Sequence, residues 1–420
     1  MVPVRIFLMS ILIVGSHSSL LFAQEELTWE DCLREAARNH PDLIAAEEGV
    51  VQGRAGKAIA ASEALPQVTA SAGASATSSD SGSSNSFDYG VSATQLLFDG
   101  FQTANNVRAA SEDIQAAREN FKFTSATVRF RLREAFINLL KAQDLVNLTE
   151  DIHNIRKRNL ELISLRYESG TEHRGAYLTS YANVAQAEFE KNQAGRRVEV
   201  VQRQLLKELG RREFVPIVVK GDFEVSDKVL EKPDFEGLAK KNPSLLRIIA
   251  QKNAAAYDVK VNQGDAWPEI SLTGGAAKSD SVWPPQDQET SGGVTVSLPL
   301  FEGGGRIARV IQAKSVYRQL EQQERSTKDS IVFTLGQEWN DLQDAWELVS
   351  VQKSFLDAAQ ERAKIAEQQY SIGIISFDDW TIIEDSLVTN KKSFLNAQAN
   401  ALLAEASWIQ AKGETLEYEN

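Results

Sequence analysis

The side chains that could carry chemistry are few, and they do not converge. The four histidines, His17, His40, His153 and His173, are scattered, and no two stand at metal-ligand spacing. The single cysteine, Cys32, excludes an intramolecular disulfide framework. Gly303-Gly304-Gly305-Arg306 has the look of a phosphate cradle, yet it lacks the Gly-Lys-Ser/Thr end of a P-loop. No nucleophile–base pair and no carboxylate dyad emerges. The expectation is therefore a protein that is not an enzyme and needs neither cofactor nor metal. Any energy it uses must come from a partner. What remains to be explained is the scaffold itself.

The chain has 420 residues, 42% hydrophobic and 25% charged, with a formal net charge of −13. That balance argues against a nucleic-acid binder, which needs a basic face. Arg5 and the apolar run Ile6 to Val14 lead through Leu21-Phe22-Ala23 into Gln24-Glu25-Glu26. This pattern reads as a cleavable signal peptide over 1–23, cut after Ala23 and too short for an anchor helix. Cys32 lies nine residues past that cut, so it reads as a small buried helix residue and not as a lipid attachment point. Elsewhere no run is long and apolar enough for a membrane helix.

Self-comparison reveals a tandem duplication. Pro41 and Pro243 follow Asn39-His40 and Lys241-Asn242, and Leu65-Pro66 returns as Trp267-Pro268, both 202 residues on. Leu97-Phe98-Asp99-Gly100 returns as Leu300-Phe301-Glu302-Gly303, and Tyr167-Glu168-Ser169-Gly170 as Tyr370-Ser371-Ile372-Gly373, both 203 on. Repeat one spans 24–210 with helices expected at 28–62, 102–168 and 177–209 and a hairpin at 66–98. Repeat two spans 234–413 with helices at 235–263, 307–371 and 380–412 and a hairpin at 268–301. A junction covers 211–233, and 414–420 is a short tail. The Gly303 loop repeats the Gly100 turn and reads as a strand-to-helix swivel, framed by Pro66, Gly100, Pro268 and Gly303. A 67-residue helix spans roughly 100 Å, longer than a compact globule of this size accommodates. The two shorter helices of a repeat, laid end to end, match that length. Leu335, Trp339, Leu342, Trp346, Val349, Leu356, Ala359, Ala363, Ala366 and Tyr370 step by coiled-coil intervals, so the long helices need lateral partners.

The hairpins alternate apolar and small polar residues, as in Phe87 to Thr94 and Val294 to Leu298. Period two gives one apolar and one polar face, and about ten residues per run suits a tilted strand crossing a bilayer. Ser75 to Ser86 and Lys278 to Gly293 read as polar loops between the strands. Four strands cannot close a barrel, and open edges are not tolerated in lipid. Two copies would give eight strands and a filled interior; three would give twelve and leave room for a pore. A soluble periplasmic coiled-coil adaptor or scaffold would share the signal and helices but would not need such hairpins.

In their doubled order and spacing, the Asn-Pro, Leu-Pro, Phe-Asp-Gly and Tyr-x-x-Gly landmarks resemble the TolC-type outer-membrane efflux proteins, from Leu27 to about Gly413. Asn39-His40-Pro41 departs from the pattern by an inserted histidine. The resemblance implies a mainly α protein with membrane β. Its homotrimer would form a 12-stranded β-barrel in outer-membrane lipid on a long periplasmic α-helical barrel. It implies an exit duct for efflux or type I secretion that works with a periplasmic adaptor and an inner-membrane pump or ABC transporter. It also places 211–233 in an equatorial collar and a gate at the Tyr-x-x-Gly breaks. The gate candidates are Tyr370, Gly373, Asp378 and Asp379 in repeat two, with Arg166, Tyr167, Gly170 and Arg174 in repeat one. Glu172 and His173 stand beside them. Arg166, Glu172, His173 or Arg174 would pair with Asp378 or Asp379 across helices. Ile375 and Ile382 stand where the family carries a basic residue and a second aspartate.

Overall fold

The computed structural model describes residues 25–80, 82–223 and 231–416. The expected signal segment and part of the junction at 211–233 lie outside the described residues. In chain order the elements are β1 (Glu25–Leu27), α1 (Trp29–Asn39), α2 (Pro41–Ser62), β2 (Gln67–Ser79), β3 (Gly82–Phe98), α3 (Gln102–Glu168), α4 (Arg174–Glu208), β4 (Ile217–Val219), α5 (Phe235–Ala239), α6 (Pro243–Gly264), β5 (Glu269–Asp280), β6 (Asp287–Ser297), α7 (Gly305–Ser371) and α8 (Phe377–Lys412).

The first helix of each repeat is broken where a single one was expected. A proline has no N–H and pushes the preceding residue into extended backbone, so Pro41 and Pro243 each begin a new helix. His40 (φ −69°, ψ 122°) caps α2 by accepting from the Asp42 N–H at 3.1 Å, and Asn242 caps α6 from Ser244 at 2.9 Å. His40 is therefore no insertion: it replaces the asparagine of repeat two. The later short helices start three residues before their expected positions, at Arg174 and Phe377, because His173 and Ser376 serve as N-caps.

The helices form a wall whose order is set by the duplication. The long α3 packs on α2 and α4 of its own repeat and on α6 and α8 of the other, whereas α7 packs on α6 and α8. Within each repeat the two short helices meet end to end. At Gly210 (φ 78°) a Cβ would stand 2.3 Å from the Asn39 carbonyl oxygen; at Gly413 (φ 82°) it would stand 2.5 Å from Pro243 Cδ. Only glycine allows both the left-handed turn and that approach. Around the first joint, Cys32, Leu132, Phe136, Leu205 and Leu209 form a core closed by the parallel pair β1 and β4. Cys32 is fully buried there, and burial pushes its thiol up to about 12. Arg211 ties this region together through charged hydrogen bonds to Glu25 and Glu35.

The four long strands make one antiparallel sheet in the order β2-β3-β5-β6. The serine-rich segment expected as a loop is largely paired strand, with Ser75 opposite Ser86 and Ser78 opposite Ser83. In the second hairpin the loop shrinks to 281–286. Ladder bonds come from the backbone, so small polar side chains do not end a strand when both of its neighbours continue. At the other end β6 stops at Ser297, short of the expected 301, before Pro299, which cannot donate to a ladder. The register gathers Val68, Ala70, Val91, Tyr89, Leu272 and Val294 on one face, and Thr69, Ser71, Ser92, Thr94, Thr273 and Thr295 on the other. No helix among the described residues is long and apolar enough to cross a membrane.

Candidate functional site

At the end of the wall remote from the sheet, α3 and α7 finish in the same way. Gly170 (φ 76°) and Gly373 (φ 80°) take the left-handed conformation. The amides of Thr171 and Ile374 donate back to the carbonyls of Arg166 and Gln369, each at 2.8 Å. Both are helix stops of the Schellman kind, and both glycines stand in open space. The turns therefore present side chains at the tip.

Tyr370 is the buried centre of this tip, at 2% exposure. Its ring stacks on Trp380, centroids 4.6 Å apart and nearly parallel, and the Arg166 guanidinium lies 4.6 Å from the ring centroid. The Tyr370 hydroxyl donates to Glu172 Oε2 at 2.7 Å, and Arg166 Nη1 donates to the Tyr370 carbonyl at 2.9 Å. Burial, then the hydrogen bond to Glu172 and its charge, hold the Tyr370 hydroxyl above the ordinary phenol range. Ile163, Ala176, Ala366 and Phe377 complete the apolar surround, with Ile375 packed at its edge.

Further from the tip, two more contacts join the repeats. Arg156 pairs with Asp385, and Lys392 bonds Glu190 at 2.6 Å. Beside them Glu384 is buried; desolvation raises its carboxyl, and the Arg156 charge opposes that rise. The α3–α4 pair and the α7–α8 pair are thus fastened at three levels.

The expected site residues divide accordingly. Arg166, Tyr370 and the flanking Glu172 are brought together, whereas Asp378 and Asp379 stay exposed in the first turn of α8. Asp379 is engaged locally: its N–H donates to Ser376 Oγ at 3.1 Å and it accepts that hydroxyl at 2.6 Å. At the tip, then, the cross-repeat carboxylate is Glu172 and not Asp378 or Asp379, and Asp379 is used to cap its own helix. Tyr167 stacks on Tyr177 within its own repeat, Arg174 is exposed, and Ile382 is 65% exposed. Sequence reasoning missed Trp380, Arg156, Asp385, Lys392 and Glu190. The offset of 203 does pair Trp380 with Tyr177, an aromatic repeat that could have marked one of them.

At the sheet end, Pro66 and Pro268 immediately precede β2 and β5. Gly100 (φ 68°) is followed by Phe101, also left-handed at φ 67°, and Asp99 accepts from the Thr103 N–H at 2.6 Å. Gly303 (φ 58°) and Gly304 (φ 86°) make the corresponding turn into α7.

A sheet with one apolar and one polar face, standing on helices roughly 100 Å long and fastened at their far tip, defines a subunit of an outer-membrane channel. The profile of the family described as "Outer membrane efflux protein" matches residues 32–211 and 236–414, one match to each repeat. The chain belongs to that family, and it is an outer-membrane exit duct of the kind that serves efflux and type I secretion. It is similar to outer membrane efflux protein BepC of Brucella suis, 24% identical over 92% of this chain and 85% of that protein. It is also similar to outer membrane protein TolC of Escherichia coli, 22% identical over 79% of this chain and 70% of that one. Among solved structures, the CusC channel superposes with a TM-score of 0.82 at 17% identity, covering 91% of each chain.

Proposed function

We propose that three copies join head to tail, so that twelve strands close one barrel in the outer membrane and the helices form a tunnel across the periplasm. The observation that carries this reading is the four-stranded sheet whose β2 and β6 edges are unpaired among the described residues. An open edge cannot stand in lipid, and identical neighbours close it without a second gene product. The polar strand face then lines a water-filled lumen through which small molecules or proteins leave. The tip docks a periplasmic adaptor and an inner-membrane pump or ABC transporter, which supply energy and choose the cargo. The Glu172–Tyr370–Arg166 cluster and the Arg156–Asp385 pair hold the gate closed, and docking separates the α7–α8 pair from α3–α4. Asp378, Asp379, Arg174, Tyr167, Gly170 and Gly373 present the surface on which docking acts. The segment 1–23 directs export and is removed.

Membrane fractionation and planar-bilayer recording test the reading. The mature protein should sediment with outer-membrane vesicles as a trimer and conduct when purified. Release by osmotic shock as a monomer would refute it and favour the soluble adaptor.

A further inference from the structure

The chain carries a net charge of −13, yet one cavity in it is basic. It has a volume of about 790 Å³ and crosses α3 from the α1–α2 joint to the joint of α6 with α8. Arg38 and Arg54 enter it from α1 and α2, and Arg118, Lys122 and Arg129 from α3. Lys241 and Lys412 close the far side, so seven basic side chains stand against two acidic ones, Glu47 and Glu414. Three of the bases are already engaged: Lys122 bonds Glu119 at 3.1 Å, and Arg129 and Lys412 both meet Glu414. Arg38, Arg54, Arg118 and Lys241 are exposed and make no ion pair or side-chain hydrogen bond among the described residues. Leu43, Ile44, Val50 and Phe121 line the space between the charges.

We propose that this cavity binds an acidic segment of a periplasmic protein, one that carries apolar side chains among its carboxylates. A guanidinium presents a planar fork that matches a carboxylate in pairs of hydrogen bonds, and Arg38, Arg54 and Arg118 offer three such forks. The apolar lining takes the side chains between the carboxylates, a surface that a free phosphate would leave unused. Gathered bases without partners repel one another, and an acidic ligand relieves that repulsion. The charge is not a by-product of the duplication. In repeat two the counterparts of Arg54, Arg118 and Arg129 are Ala256, Glu321 and Val332.

Position narrows the partner further. α2 has 22 residues, which sets the joint end of the cavity roughly 33 Å from the sheet, beyond lipid headgroups. α4 has 35 residues, which sets that end roughly 50 Å from the tip, so a segment bound here leaves the tip free. Ala37 of α1, Glu414 and Thr415 also border the cavity, on the face where α1, β1 and β4 lay a second layer over α3. Under the duct reading above, on which this placement rests, that layer lies outside the lumen, because inside it would fill the tunnel. The cavity therefore opens to the periplasm and not to cargo.

Fluorescence anisotropy on the purified full chain tests the cavity, with a labelled peptide of alternating glutamate and leucine as the probe. Arg118→Glu gives α3 the residue that repeat two already carries, and it should weaken binding about tenfold with unchanged circular dichroism. Arg54→Gln should weaken binding by a smaller factor. Arg158→Glu, the same charge change at an exposed site roughly 60 Å farther along α3, should leave binding unaltered. Equal affinity in wild type, Arg118→Glu and Arg54→Gln would overturn the site. Equal affinity for a glutamine–leucine peptide or for polyglutamate, or displacement of the probe by inorganic phosphate at matched concentration, would overturn the ligand class. In planar bilayers the peptide on the periplasmic side should leave conductance unchanged; a block relieved by Arg118→Glu would overturn the outward placement. A wild-type chain that binds the probe as a monomer would remove the duct and leave the cavity standing.

Discussion

Tyr370→Phe isolates a single bond of the proposed gate. The substitution leaves the ring, its stack on Trp380 and the guanidinium contact in place, and removes only the hydroxyl that donates to Glu172 at 2.7 Å. The Glu172 side chain is 11% exposed, so water replaces the lost donor poorly. A hydrogen bond to a charged acceptor contributes about 1.5–3 kcal/mol, and leaving the acceptor unpaired costs a similar amount. If the bond exists only when α7–α8 lies against α3–α4, the loss falls on the closed state. At about 1.4 kcal/mol per factor of ten, opening should become roughly ten to a hundred times more probable. The assay is single-channel recording of the purified full chain in planar bilayers, scored as open occupancy. Tyr167→Phe is the control, since Tyr167 occupies the same repeat position but stacks on Tyr177 of its own repeat. Because the Tyr370 hydroxyl is held above its ordinary range, it remains a donor to about pH 10, and the effect should persist across that range. Equal open occupancy in wild type and Tyr370→Phe would refute the reasoning, and the gate would have to be sought between copies.

The joints and the glycine turns make separate predictions. Gly210→Ala should lower stability by about 2 kcal/mol or more in thermal melts, because strain at positive φ adds to a 2.3 Å clash; Gly170→Ala, with open space around it, should cost only about 1 kcal/mol. His40 both caps α2 and meets the buried Glu208 carboxylate at 3.4 Å, so His40→Ala should cost about 2 kcal/mol or more, and His40→Asn, which keeps the cap as Asn242 does in repeat two, should cost less. Arg131 bonds Asp42 at 2.7 Å and holds its carboxyl below the usual aspartate range. A depressed folded value means that the contribution is complete above the ordinary aspartate value and is lost as pH falls through the folded one. Urea melts of wild type and Asp42→Asn should therefore differ at neutral pH, draw together as pH falls below about 3.9, and converge once it has passed the lower folded value.

How much of this the sequence disclosed depended on whether a structural rule acts along the chain or across it. Of the residues that step along α7, Leu335, Trp339, Leu342, Leu356, Ala359, Ala363, Ala366 and Tyr370 are buried and Trp346 and Val349 are half-buried, because α7 has neighbours on one side and one stripe suffices. On α3 the buried residues are more numerous and follow no single stripe. Ser125, Ala126 and Arg156 face the second repeat's helices and break the stripe, as a helix with two flanks must. The alternating hairpins were legible, but their length was not, since composition says nothing about whether a serine run has a strand beside it. The Glu172–Tyr370 bond joins residues 198 apart, and no spacing rule marks such a pair. It follows only once both hairpins are laid against the same core.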